Sequence, residues 1–295
     1  MFRATAPVRR PHPAGPAALP RLVRAAVHTP PGPGEPYRPG DAREEFYQEL
    51  GALYGASFDR EQFAASGRRT SVELAYGALD ALGPLSAEEA PEVVVVAYAA
   101  PDFEHTELVA SCVKRRLPGE PLAFALSDQG GLAPFSALRV AVEYARRCGW
   151  SRLLLLVVDQ GTQPFPLPAE PSPAAVRGDS AVALLLRWDG GDRPLDGLAQ
   201  GRPGPELFEA WPRDAALVAG AGLADCPELP PRGGAPAQAT VEATAEAVAG
   251  RPATGSWAAL LTVDGGDRPV VVADYDRERD FLAYCTLHTG ELRHG

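Results

Sequence analysis

The sequence predicts a layered α/β protein. Short, uninterrupted apolar runs of strand length recur along it, as strands covered on both faces require. Between them lie stretches of helical periodicity with start and stop signals, and this alternation is the signature of sheets packed against helices. A chain of 295 residues, 45% hydrophobic and 22% charged, is long enough for one large domain or two modest ones around a substantial core.

The elements follow in order. Leu22–His28 reads as the first strand, stopped by Pro30-Pro31. Asp41 followed by Glu44 resembles a capping box, with Phe46, Leu50 and Leu53 on one helical face. Thr70 and Glu73 repeat that start signal ahead of Val72, Leu74, Leu79 and Leu82. Val93–Tyr98 is an all-apolar, β-branched strand, and a helix is expected from Thr106 to Arg116. Leu122–Leu126 is a further strand. Gly130 and Gly131 then open a long helix through Phe135, Leu138, Val142 and Tyr144, with Arg146 and Arg147 in its last turn and Gly149 as its stop. Leu153–Val158 is a buried strand, 160–178 a proline-rich loop, and Ala181–Trp188 a strand again.

The hexapeptide Asp189-Gly190-Gly191-Asp192-Arg193-Pro194 recurs 75 residues on, at Asp264–Pro269. Each copy follows an apolar run read as a strand (Ala183–Trp188 and Ala258–Val263), and the second precedes the strand-like Val270–Asp274. The repeated context predicts an internal duplication, with each copy forming a tight turn.

Composition excludes several functions. A net charge of −10 argues against a broad nucleic-acid or anionic-membrane footprint. No apolar run approaches the ~20 residues of a membrane span. The cysteines at 112, 148, 226 and 285 are too far apart for a zinc knuckle or a small disulfide scaffold. Residues 1–20 are rich in Pro and Ala without the apolar centre of a secretory signal, so they read as a mobile tail and the protein as cytoplasmic. Gly220-Ala221-Gly222 begins a dinucleotide fingerprint, but Asp225 stands where its third glycine belongs. The turn carboxylates Asp189, Asp192, Asp264 and Asp267 supply too few oxygen ligands for calcium, and no metal or cofactor is expected.

A series of segments resembles the thiolase-like superfamily, and within it the β-ketoacyl-ACP synthases of type III that initiate fatty-acid chains. Ala25–Pro30 resembles the opening strand of that family, and Ser71–Ala75 its early helix. Val94–Asp102 resembles the strand and loop before an interface helix, and Gly178–Leu185 the GDGAGAVLL strand. The likeness spans roughly residues 21–188. It is looser beyond, through Ala215–Ala221, a helix near Ala237–Ala249, and Gly255–Val263. It implies a five-layered αβαβα fold of two duplicated halves, 21–188 and a shortened 189–295, usually assembled as a dimer.

The resemblance also implies a catalytic cysteine at a helix N-terminus, where the helix dipole and backbone N–H groups lower the thiol pKa. Counting back from Ala137-Leu138 puts Gly131 at that position, and glycine has no side chain to acylate. The family's partner histidine belongs in the segment Val218–Ala224, yet no histidine occurs between His105 and His288. The Gly-Asn-X-Ser segment that supplies the asparagine is not visible either. Weak substitutes are Ser127, Asp128 and His105, for which turn, N-cap and exposed-loop roles are commoner uses. Cys112 reads as a buried structural thiol, and Cys148 lies at a helix C-terminus, which disfavours a thiolate.

The implied function is a catalytically degenerate ketosynthase-like subunit. It would partner an active ketosynthase, or pair with itself, in fatty-acyl, polyketide or related metabolite assembly, with acyl carrier protein or acyl-CoA as further ligands. By the resemblance, Leu122, Phe124, Leu126, Phe103 and His105 line the subunit interface, and Phe103, Gln129, Gly130 and Gly131 the substrate tunnel. The rivals are an acyltransferase, hydrolase or cyclase using Ser127, Asp128 or His105, and a stand-alone acyl- or carrier-protein-binding module.

Overall fold

The structure, a computed structural model, describes residues 20–40, 42–104, 106–166, 175–188, 197–212, 214–229, 243–263, 266–290 and 292–294. Asp41, His105, the first copy of the repeated hexapeptide and most of the 1–20 tail lie outside them.

The first half runs β1 (Arg21–His28), α1 (Ala42–Tyr54), α2 (Arg60–Ala65), α3 (Ser71–Leu82), β2 (Val93–Tyr98), α4 (Val109–Lys114), β3 (Leu122–Leu126), α5 (Ala133–Cys148), β4 (Arg152–Asp159) and β5 (Ser180–Arg187). The second half runs β6 (Leu198–Gly201), α6 (Pro205–Glu209), β7 (Ala216–Ala219), β8 (Ala243–Glu246), α7 (Thr254–Leu260), β9 (Pro269–Asp276), β10 (Phe281–His288) and the short β11 (Arg293–His294).

Local chemistry places several of these boundaries. Thr70 accepts the Glu73 N–H at 3.1 Å while the Glu73 carboxylate accepts the Thr70 N–H at 3.0 Å, so the capping box that opens α3 is complete. Gly149 closes α5 with φ +68°, a left-handed cap that costs glycine nothing. The helix expected over Thr106–Arg116 is shorter at both ends, α4 being a turn and a half.

The duplication is written in the strand order. The first half-sheet runs β3-β2-β4-β5-β1, with β5 antiparallel to both neighbours and the β2 pairings parallel. The second runs β8-β7-β9-β10-β6 with the same directions throughout. A single register pair, Arg21 with His288, joins the two sheets through β1 and β10.

Pleat alternation then sorts the side chains into layers. Val93, Val95, Leu153, Leu155, Val157, Val270 and Val272 face a central layer built by α5 and α7. Val94, Val96, Leu154, Leu156 and Val158 face outward onto α3 and α4. Val271, Ala273 and Tyr275 face outward in the second half, where the described cover is only α6, a 3-10 turn at Leu223–Asp225 and Trp211. The result is the αβαβα layering. Because β2, β4 and β5 are covered on both faces, their centres are continuous apolar runs and not alternating ones. Among the described residues no helix is long and apolar enough to cross a membrane.

Three expectations are corrected. Ala258–Val263 is not a strand but the end of α7 and the turn after it. A six-residue apolar run fits a buried helix as well as a strand, and Trp257 and Leu260 bury fully in the central layer. Ala243–Glu246, within the helix expected near Ala237–Ala249, is instead strand β8, held by parallel pairing to β7, while 230–242 lie outside the described residues. Tertiary pairing there outweighs the helical propensity of alanine and glutamate. The hexapeptide repeat therefore does not mark the duplication, because its first copy follows β5 and its second follows α7. The structural counterpart of β5 is β10.

Candidate functional site

The chain enters α5 through a strained turn. Asp128 has φ +67°, and its Oδ2 accepts the Ser127 hydroxyl at 2.8 Å. The Gly130 N–H donates to the Ala99 carbonyl at 3.2 Å, and Gly130–Leu132 form a 3-10 turn ahead of α5. Gly131 therefore sits at the mouth of the central helix, where the resemblance requires a nucleophile.

The space beside Gly131 is filled. A Cβ on Gly131 would overlap Oδ2 of Asp274 and lie 2.9 Å from the Pro252 carbonyl oxygen. A Cβ on Gly220, in the segment where the histidine belongs, would overlap the same carboxylate. A Cβ on Gly222 would strike the Tyr275 carbonyl and lie 3.3 Å from Asp274 Oδ1. Three glycines thus wrap one carboxylate.

Asp274 comes from β9 and is 4% exposed. Its Oδ1 accepts the N–H groups of Gly222 at 3.0 Å and Tyr275 at 2.8 Å. No described residue donates to its Oδ2, and Asp274 lines a narrow cleft of about 40 Å³. Burial pushes the carboxyl up to about 7, against the pull of those two N–H groups and with a further rise from neighbouring Asp276. Asp276 in turn accepts the Arg279 N–H at 3.0 Å and its guanidinium, while Arg279 also donates to the Asp128 carbonyl at 3.1 Å. The turn after β9 is so tied to the turn before α5.

The first half holds a counterpart. Asp159 ends β4 as Asp276 ends β9, and it too is buried. Its oxygens accept the Ala253 N–H at 3.2 Å, the Thr254 N–H at 2.7 Å and the Thr254 hydroxyl at 2.7 Å, capping the N-terminus of α7. Burial raises it to about 6 despite those bonds, the Thr254 hydroxyl being the strongest of them. Neither carboxylate was singled out from sequence. The available signal was parity: Asp159 continues the inward series Leu153, Leu155, Val157, and Asp274 continues Val270, Val272.

The expected site residues fare differently. Ser127 and Asp128 bond each other in the turn, with Asp128 exposed, and Gln129 and Gly130 are half-buried beside them. His105 lies outside the described residues. Phe103 is 1% exposed within an aromatic cluster of its own chain, with Phe63 at 5.8 Å, and the Tyr47 hydroxyl donates to its carbonyl at 2.7 Å. Leu122, Phe124 and Leu126 are half-buried on β3, an edge strand that pairs only with β2 among the described residues. All four cysteines are free and buried, and burial pushes Cys285 up to about 12. No group of three His, Cys, Asp or Glu side chains among the described residues is placed to hold a metal ion.

No protein-family model matches the sequence, and no curated protein matches it. Solved structures do match. A 3-oxoacyl-(acyl-carrier-protein) synthase III aligns at TM-score 0.56 and 15% identity, over 92% of this chain and 99% of that one. The corresponding synthase from Pseudomonas aeruginosa PAO1 aligns at 0.53 and 19%, over 92% and 98%. The priming β-ketosynthase of the R1128 polyketide biosynthetic pathway aligns at 0.55 and 16%, over 96% and 98%. The chain has the thiolase-like, ketosynthase III fold over nearly its full length.

Proposed function

We propose that this chain is a non-condensing subunit on the ketosynthase scaffold. It partners an active β-ketoacyl synthase in fatty-acyl, polyketide or related specialised-metabolite assembly, and it works in the cytoplasm. The observation that carries the reading is Asp274. Its carboxylate fills the space beside Gly131 and Gly220, so the position lacks both a nucleophile and room for one. An ionised carboxylate there would also repel the oxyanion that develops when a thioester carbonyl is attacked, the reverse of what acyl transfer needs.

The edge of β3 supports the partner role. An exposed strand edge invites pairing with another chain. Beside it, α5 leaves Val140 and Tyr144 37% and 44% exposed, the latter ring 5.9 Å from Phe124. Leu122, Phe124 and Leu126 are the contacts proposed for the partner, and Phe103 is not.

The test is purification of the chain alone and with a candidate ketosynthase from the same organism. The expected results are a stable one-to-one complex, no acyl adduct on this chain by intact mass, and activity that depends on the partner's cysteine. Phe124→Asp should dissociate the complex. Turnover by the chain alone, reduced by Asp128→Ala or His105→Ala, would overturn the reading in favour of an acyltransferase, hydrolase or cyclase. A tight homodimer that excludes the ketosynthase would overturn the hetero-oligomeric part.

A further inference from the structure

Helix α1 carries its amphipathic pattern turned outward. Phe46, Leu50, Leu53 and Tyr54 stand at i, i+4, i+7 and i+8, the spacing of a face that ordinarily enters a core. The buried residues of α1 are instead Glu44, Tyr47 and Gly51. Leu53 and Tyr54 are 79% and 80% exposed, Phe46 is 36% exposed, and Leu50 is half-buried between them.

The inward side fixes this orientation. Glu44 accepts the Tyr37 hydroxyl at 3.0 Å, the Gly40 N–H at 2.8 Å and Arg60 Nε at 2.6 Å, which ties α1 to the segment before it and to α2. The Tyr47 hydroxyl anchors the middle of the helix on the Phe103 carbonyl. A Cβ on Gly51 would lie 2.6 Å from the Ala56 carbonyl oxygen and 3.0 Å from the Phe165 ring, so the helix has no room to roll its apolar stripe inward.

The stripe has the size and the sign of a contact site. Leu53, Tyr54 and Phe46 together expose on the order of 400 Å², within the range that marks binding patches on a monomer. Glu49 lies one turn before Leu53 and Glu45 one turn before Glu49, so an acidic row runs along the stripe. Both are exposed, and their carboxylates make no ion pair or hydrogen bond among the described residues. The neighbouring arginines are engaged elsewhere, Arg60 with Glu44 and Arg43 with Glu35 and Glu104. A second copy of the chain would bring the same acidic row and a further charge of −10 to the contact, which argues against self-association.

We propose that the outward face of α1 docks an amphipathic helix of another protein, one that presents leucine-like side chains flanked by lysine or arginine. The apolar side chains pack together, and the basic flank pairs with Glu45 and Glu49 and so sets which way the helix lies. The contact uses no residue of β3, and the inference does not depend on a ketosynthase partner.

The test titrates the purified full-length chain into a fluorescein-labelled synthetic helix about four turns long, with leucine on one face and lysine on the other. Fluorescence anisotropy is read at ~0.1 M salt, where long-range charge effects are screened. We expect saturable one-to-one binding, and none by the peptide in which glutamate replaces lysine. Leu53→Glu, at the exposed end of α1, should weaken binding at least tenfold with the far-UV circular dichroism unchanged. Glu49→Lys should weaken it severalfold, while Glu206→Lys, the same change of charge at an exposed position of α6, should leave it unchanged. No saturable binding, undiminished binding by Leu53→Glu, or equal losses from Glu49→Lys and Glu206→Lys would each overturn the proposal. So would displacement by a synthetic peptide of residues 1–19, which carries Arg3, Arg9 and Arg10 and would make the chain's own segment the occupant. A wild-type dimer that Leu53→Glu dissolves would assign the face to a second copy and overturn it likewise. None of these results bears on complex formation through β3, so the two readings fail separately.

Discussion

Replacing Asp274 by asparagine should change how stability depends on pH, by an amount the burial sets. The native carboxyl titrates at about 7, and its ordinary value is 3.8. Between those values the folded chain holds a proton that the unfolded chain has lost. Unfolding therefore releases a proton and becomes easier as pH rises; below 3.8 both states are protonated and above 7 both are ionised. At about 1.4 kcal/mol per pH unit, the wild-type chain loses about 4 kcal/mol from this one group across that window. Asparagine is nearly isosteric and keeps the two bonds on Oδ1, but it has no proton to lose. The stability of Asp274→Asn relative to wild type should thus climb by about 4 kcal/mol from pH 4 to pH 8. Asp159, raised to about 6, contributes its own fall over a lower range in both proteins and cancels in the difference. Urea unfolding at fixed ionic strength, followed by tryptophan fluorescence at half-unit pH steps, reads the quantity directly. A difference flat to within about 1 kcal/mol would mean that Asp274 is solvated, and the account of the site would fail with it.

Gly131→Cys should not regenerate a working nucleophile: overlap with Asp274 should destabilise the chain by about 1–3 kcal/mol, and acyl-CoA should leave no adduct by intact mass. Adding Asp274→Gly should recover much of that loss, a coupling measurable by a double-mutant cycle. Thr254→Val removes a hydroxyl donor from buried Asp159 and should cost about 1.5–3 kcal/mol at pH 7 in urea unfolding, with a smaller cost at pH 4, where the carboxyl is protonated. Thr70→Ala breaks the capping box of α3 and should cost about 1 kcal/mol, nearly independent of pH between 6 and 8.

Much of the scaffold could be read from the chain because layering imposes its own pattern. Strands covered on both faces cannot alternate, so β2, β4 and β5 stand out as runs with sharp ends, and β2 and β3 fall on the expected residues. The capping pair at Thr70 and Glu73 and the stop at Gly149 are local chemistry and survive folding unchanged. The errors arise where local pattern is degenerate. Ala258–Val263 is as apolar as a buried strand because α7 is buried on all sides, and periodicity vanishes when every face is covered. Ala243–Glu246 has helical composition, yet a parallel neighbour supplies its hydrogen bonds. The hexapeptide repeat shows the opposite failure: a true duplication exists, but it lives in strand order and direction, which no short string of residues encodes.

The site divides the same way. The departure from the resembled family was readable as a gap, since Gly131 and the histidine-free segment Val218–Ala224 lack the groups that the resemblance implies. What fills the gap was not, because a lone aspartate near a strand end passes for a turn residue. Parity would have found it: along Val270, Val272 and Asp274 every second residue points into the central layer, and a carboxylate there needs a partner or a purpose. The glycines and Asp274 are then one feature. A side chain at Gly131 would meet both Asp274 and the Pro252 carbonyl, one at Gly220 would meet Asp274, and Gly222 both yields space to Tyr275 and donates to Asp274. A cysteine placed at 131 alone, or a histidine at 220 alone, meets the same carboxylate. Room for side chains at 131 and 220 would require a change at Asp274 as well, and either substitution alone overpacks the centre of the fold.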